Sequence, residues 1–235
     1  MTAPRTTATA TTTATATADP GSSTAVGLSQ TTIVVLAKDP VPGRVKTRLH
    51  TRFTPAEAAG LARAAIEDTF AAVHAAGPAR VIAAWDGTCT DAVAAGVEVI
   101  GQVAGGLDRR IEAALEQAFT GAEGPVLLVG MDTPQLTGAD LDVDWTSTDA
   151  VLGLTPDGGY WLIGLRSFVA GCVRGVPMST DHTGADQLAR LRALGLRVTL
   201  LGELDDVDTP ADAALVANRS PHLRFAAAHR SLVSS

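Results

Sequence analysis

The chain has 235 residues, of which 46% are hydrophobic, so it carries ample material for a buried core and is not a disordered polymer. Its 18 Lys and Arg against 25 Asp and Glu leave a net charge of −7, which excludes the broad basic field of a nucleic-acid binder. Two cysteines, Cys89 and Cys172, are too few for a disulfide framework and lack zinc-like spacing. They read as small buried side chains of a reduced, cytoplasmic protein rather than as catalytic thiols. No apolar run reaches the roughly 18 residues of a membrane span, and the N-terminus lacks the charged start and apolar centre of a signal peptide. The expected partners are small molecules, with no nucleic acid and no membrane.

Residues 1–30 are almost entirely Thr, Ala, Ser, Gly and Pro and are expected to form a disordered tail. A transit peptide is the competing reading, but Arg5 is the only basic residue there. From residue 31 to 218 strand and helix signals alternate, with no internal repeat or linker, which predicts one α/β domain; residues 219–235 are expected to be a C-terminal tail. The run from Thr32 to Ala37 is β-branched and uninterrupted, as in a strand buried on both faces of a parallel sheet. Thr54-Pro55-Ala56-Glu57 has the form of a capping box opening a helix that ends near Gly77. Further strands are predicted at Arg80 to Ala84, Val97 to Ile100, Val126 to Val129, Ala150 to Leu154, Trp161 to Leu165 and Val198 to Leu201. Helices are predicted at Leu107 to Phe119 and Thr183 to Leu194. The short Thr-Pro-Asp-Gly-Gly connection after Leu154 predicts a local antiparallel element on a mostly parallel sheet.

Four segments could carry chemistry. The first, Lys38 to Leu49, follows the first strand, where open α/β sheets bind ligands. It gathers Lys38, Arg44, Lys46 and Arg48, both of the chain's lysines among them, and such a cluster suits phosphate oxygens. It is not a Walker A loop, because the glycine spacing is wrong; the plain alternative is a solvated basic turn. The second is Asp132, after the strand Val126 to Val129 and Gly130. A carboxylate there can hold Mg²⁺ or Mn²⁺ against phosphate, or can simply cap a helix or turn.

The third segment, Asp205 to Asp212, crowds carboxylates before Thr209-Pro210. It is either an acidic helix start or the source of a second metal carboxylate, Asp208. The fourth, Asp157-Gly158-Gly159-Tyr160-Trp161, is either a hairpin turn with packed aromatics or a face presented to a sugar or nucleotide. Ser179-Thr180-Asp181-His182 could cap the late helix or place Asp181 in the cleft as a base.

In this order, KDPVPGRVKTRL at residues 38–49, GMDTP at 130–134, DGGY at 157–160, STD at 179–181 and DVDTP at 206–210 resemble a bacterial glycosyltransferase-A-like family catalogued as domain of unknown function 2064, with members labelled arsenosugar-biosynthesis-type glycosyltransferases. More distantly the chain is similar to 2-phospholactate guanylyltransferase and other nucleotidyltransferases of the nucleotide-diphospho-sugar transferase fold. The resemblance spans Thr32 to Leu215 and implies a single Rossmann-like, glycosyltransferase-A-type domain. It implies that Lys38, Arg44, Lys46 and Arg48 bind nucleotide phosphates and that Asp132 and Asp208 bind Mg²⁺ or Mn²⁺; on the second reading of the fourth segment, Gly158, Gly159 and Tyr160 meet substrate. The family stretch Gln-x-Gly-x-Asp-Leu-Gly-Glu-Arg is matched at Gln102, Leu107 and Arg110, so Gln102 and Arg110 are expected to bind substrate, whereas Gly106 and Arg109 replace its Asp and Glu.

The first functional expectation is a metal-dependent transfer of sugar from a nucleoside-diphosphate sugar to a small acceptor, with Asp157 or Asp181 as base. The alternative is nucleotidyl transfer from a nucleoside triphosphate to a phosphorylated small molecule, with release of pyrophosphate. A third reading is a non-catalytic nucleotide-binding protein.

Overall fold

The apolar runs become strands of one sheet in the computed structural model, which describes residues 27–88, 91 and 96–234. These are β1 (Thr32–Lys38), β2 (Arg80–Asp86), β3 (Glu98–Gly101), β4 (Val126–Gly130), β5 (Ala150–Leu154), β6 (Tyr160–Leu165) and β7 (Val198–Leu201), in the order β3-β2-β1-β4-β6-β5-β7. Parallel pairing joins β3, β2, β1 and β4, and also β5 and β7. Strand β6 runs antiparallel to both β4 and β5. The parallel strands therefore all end at one edge, and β6 begins there. The predicted antiparallel element is thus a strand inserted between two parallel blocks.

Six helices accompany the sheet among the described residues: α1 (Pro55–Ala75), α2 (Leu107–Phe119), α3 (Gly138–Leu141), α4 (Thr183–Ala193), α5 (Pro210–Arg219) and α6 (Arg224–Val233). The capping box predicted at Thr54 and Glu57 forms in full, and Gly77 adopts φ +68 just beyond the end of α1. Side chains alternate along β1, so Ile33 and Val35 pack beside Ile66 and Phe70 of α1, while Val34 packs with Ile111 and Leu115 of α2 on the other face. Each such side chain, fully withdrawn from water, contributes about 1.5–3 kcal/mol before entropy is counted.

A third apolar cluster lies outside these two layers. Leu61 of α1, Val216 of α5 and Phe225 of α6 enclose Leu49 and Val207, both almost fully buried. Leu49 follows the basic loop and Val207 separates Asp206 from Asp208, so this cluster docks both charged segments on the same helices.

The expected C-terminal tail is corrected here: Arg224–Val233 is helical, with Phe225 and Ala226 buried. Its first amides are held by a carboxylate distant in sequence. Asp68 of α1 accepts the backbone N–H groups of Arg224 at 3.1 Å and Phe225 at 2.8 Å. The expected N-terminal tail falls mostly outside the described residues, but Leu28–Gln30 forms a short 3₁₀ turn and Leu28 packs on the core, so that boundary moves earlier. Cys172 is buried as expected and Cys89 lies outside the described residues. No helix among the described residues is long and apolar enough to cross a membrane.

Candidate active site

A cleft opens along the edge where the parallel strands end. Its larger part, a cavity of about 470 Å³, is lined by Asp132, Asp157, Gly159, Tyr160, Asp181 and Asp206 among others. A smaller part of about 160 Å³ is lined by Lys38, Lys46 and Thr47. Arg48, Met131, Asp132 and Asp208 border both parts, so the two are continuous.

Lys46 is the centre of the arrangement. Its backbone is left-handed, at φ +47, which swings the side chain inward while Val45 and Leu49 remain in the core. The ammonium bonds Asp132 and the Val207 carbonyl, and reaches Asp208 at 3.3 Å. Burial works against this charge, but Asp132, Asp208 and Asp206 more than compensate and hold the Lys46 pKa above its ordinary value. Arg48 extends the cluster with a 3.0 Å bond to the other oxygen of Asp208. The backbone is stitched as well, because the Val207 amide donates to the Asp132 carbonyl at 2.9 Å.

The structure adds one residue that sequence reasoning did not select. Asp206 lies in the cavity wall and accepts a hydrogen bond from the Thr133 hydroxyl at 3.0 Å. Burial, followed by the charge of Asp132, pushes its pKa up to about 7. The signal was present in the spacing Asp-Val-Asp, because a buried valine between two carboxylates sends both toward the same edge.

The donor set can suit a hard divalent ion, since Asp132 and Asp208 converge on the Lys46 ammonium, border both parts of the cleft and are carboxylates part-exposed to it, with Asp206 in the same wall. Among the described residues no three His, Cys, Asp or Glu side chains form a ready-made cage. Mg²⁺ and Mn²⁺ need only one or two protein carboxylates when phosphate oxygens complete the shell.

The remaining expected residues divide. Asp157 and Asp181 line the larger cavity, as do Gly159 and Tyr160. One oxygen of Asp157 is already used, accepting from the Thr155 hydroxyl at 2.5 Å and the Gly159 amide at 3.0 Å. Gly158, at φ +89, lies so close to the Asp181 carbonyl that any side chain would overlap it. Tyr160 is kept neutral, since burial pushes its pKa up. Arg44 is exposed and borders neither part of the cleft.

Gln102 is spent on architecture: its amide NH₂ donates to the carbonyls of Ala37 at 2.8 Å and Ala84 at 2.9 Å. Arg110 bonds Asp86 at 2.7 Å beside it. Neither Gln102 nor Arg110 borders the cavities, so the segment contributes Leu107 and Ile111 to the cleft instead.

Comparison with known proteins supplies the family. Residues 59–180 match the family described as "Uncharacterized protein conserved in bacteria (DUF2064)". A 3-phospho-D-glycerate guanylyltransferase from Phenylobacterium zucineum (strain HLK1) is 34% identical over 190 residues, covering 73% of this chain and 84% of that protein. Among solved structures, a protein assigned as a nucleotide-diphospho-sugar transferase from Desulfovibrio desulfuricans G20 superposes with TM-score 0.78 at 24% identity, over 88% of this chain and 96% of the other. CMP:2-keto-3-deoxy-manno-octonic acid synthetase, solved with CTP, shares the fold at TM-score 0.52 and 16% identity, over 83% of this chain and 100% of the other. The chain belongs to the DUF2064 family and is a transferase of the nucleotidyl and nucleotide-sugar transferase superfamily.

Proposed function

We propose that this chain transfers a nucleotidyl group from a nucleoside triphosphate to a phosphorylated small acceptor, with Mg²⁺ or Mn²⁺ held by Asp132 and Asp208 and with Asp206 as a further oxygen donor. The single observation carrying this reading is the buried Lys46 ammonium set among those carboxylates beside Arg48, at the strand-end edge. The relative from Phenylobacterium supports nucleotidyl over glycosyl transfer, a guanine nucleotide as donor and a phosphoglycerate-like acceptor.

A divalent ion held by Asp132 and Asp208 would supply neutralisation of the phosphate charge. Lys46, Arg48 and Lys38 hold the phosphate chain and offset charge passing to the leaving pyrophosphate. The acceptor phosphate oxygen attacks the α-phosphorus, the bond to the β-phosphate oxygen breaks, and pyrophosphate leaves. A phosphate monoester is already largely dianionic at neutral pH, its second pKa being about 6, so no base need remove a proton from it. Asp157 and Asp181 line the cavity beside the acceptor, where one of them can accept a hydrogen bond from its hydroxyl group, and neither is then needed as a general base.

The test is a panel of triphosphates and nucleoside-diphosphate sugars with 3-phospho-D-glycerate and Mn²⁺, read by the phosphate species released and by mass of the product. Pyrophosphate with a nucleotidylated acceptor is the expected result. A nucleoside diphosphate with a glycosylated acceptor would establish sugar transfer instead.

A further inference from the structure

Two acidic residues one turn apart on α2 take no part in the chemistry above, yet they hold one wall of the cleft. Glu112 is 3% exposed and accepts the amides of Gly171 at 3.2 Å, Val173 at 3.0 Å and Arg174 at 2.8 Å. Asp108 accepts the next amide, Gly175, at 2.9 Å. From the opposite side α4 binds the carbonyls of the same segment: Gln187 donates to Cys172 at 2.7 Å, and Arg190 donates to Gly171 at 2.9 Å and Arg174 at 3.0 Å. Residues 171–175 are thus gripped by their amides from α2 and by their carbonyls from α4.

The gripped segment leads directly into Met178, Ser179, Thr180 and Asp181, which line the larger cavity. Within that wall Ser179 is left-handed, at φ +61. Such a backbone costs on the order of 1 kcal/mol and persists where its surroundings over-determine it. The Thr183 hydroxyl holds the neighbouring Thr180 amide at 3.1 Å, and the gripped segment anchors the chain just upstream. Helix α2 meanwhile presents Leu107 and Ile111 to the same cavity from the next stripe round.

We propose that Asp108 and Glu112 are positioning residues for the acceptor: they fix the wall 178–181 against α2 and so set the affinity for acceptor, not for nucleotide. The acceptor assignment rests on the function proposed above. A residue of merely structural importance would weaken both substrates or neither.

The experiment compares Asp108→Ala, Asp108→Asn and Glu112→Gln with the parent protein, with GTP and 3-phospho-D-glycerate as probes and pyrophosphate release as readout. Losing one charge-assisted bond predicts a KM for 3-phospho-D-glycerate raised about tenfold with the KM for GTP within about twofold, and Asp108→Asn recovers part of the loss. Equal changes in both constants, or none, overturn the proposal. If the parent protein releases no pyrophosphate from this pair, the functional reading fails and hydrogen exchange decides the positioning claim. Amides of residues 178–181 should then exchange about tenfold faster in Asp108→Ala while those of 206–208 do not change. Unchanged exchange at 178–181 overturns it.

Discussion

Replacing Lys46 by methionine tests the centre of the site, because the apolar chain can occupy the same channel while the charge disappears. The Lys46 side chain is 6% exposed and its ammonium meets Asp132 and Asp208, whose side chains are 41% and 37% exposed, so most of its interaction is with groups at the cleft floor. A charge-assisted bond from such a group to a phosphate is worth about 1.5–3 kcal/mol, or roughly 10- to 150-fold in affinity. Its removal also leaves Asp132 and Asp208 repelling the phosphates they had shared with a cation. The loss must therefore grow along the series guanosine, GMP, GDP and GTP. Calorimetric titration at fixed Mg²⁺ should show guanosine unchanged, GMP weakened several-fold and GTP weakened about 100-fold. A uniform loss along the series, in a variant with a parent-like unfolding midpoint, would refute a phosphate contact. Arg48→Ala should show the same trend with a smaller amplitude, since its guanidinium is 69% exposed and screened.

Asp132→Asn should abolish Mn²⁺-dependent nucleotide binding with little loss of stability; an unaltered Mn²⁺ titration would remove the central metal assignment. Asp68→Ala orphans two amides of α6 beside a largely buried carboxylate site and should cost about 2–4 kcal/mol in urea unfolding, with Asp68→Asn near half of that. Asp149 is held to a pKa of about 2 by side-chain and backbone bonds from Arg197, below the unfolded value near 3.8. Its contribution is complete above pH 4 and is lost as pH falls toward 2, so Asp149→Asn should flatten that part of the acid stability profile by about 1 kcal/mol after screening. Gly158→Ala combines φ +89 with overlap of the Asp181 carbonyl and should destabilise far more than Gly195→Ala, where φ is +78 but the space is open. Matched unfolding midpoints for the two would contradict the close packing of the turn.

The strands were legible because burial on both faces demands unbroken apolar runs, and β7 and α2 match their predicted limits of Val198–Leu201 and Leu107–Phe119. The start of α1 was legible because its cap is local. Helix α6 was not, since its cap, Asp68, lies on another helix and its apolar face is built largely from alanine around Phe225. The charged loops announced themselves by composition, and Lys46, Arg48, Asp132 and Asp208 do come together. What sequence could not show is which polar atoms are already committed. Gln102 looks like a reader of substrate until its amide is found on two backbone carbonyls, and Glu112 looks like an ordinary helix-surface acid until three amides converge on it.

The reversed direction of β6 has a consequence for how such a catalyst can change. On the side of the sheet that carries Lys46, the ends of β1 and β3 are followed by crossovers through α1 and α2, and altering one of those loops disturbs a helix that must return to the sheet. Past β4, the connection at 155–159 merely links neighbouring antiparallel strands, so its length and composition are free of any such return path. Exchange of that one turn, with Gly158 kept against the Asp181 carbonyl, offers a route to reshape the Asp157 side of the larger cavity that leaves the Lys46 cluster in place.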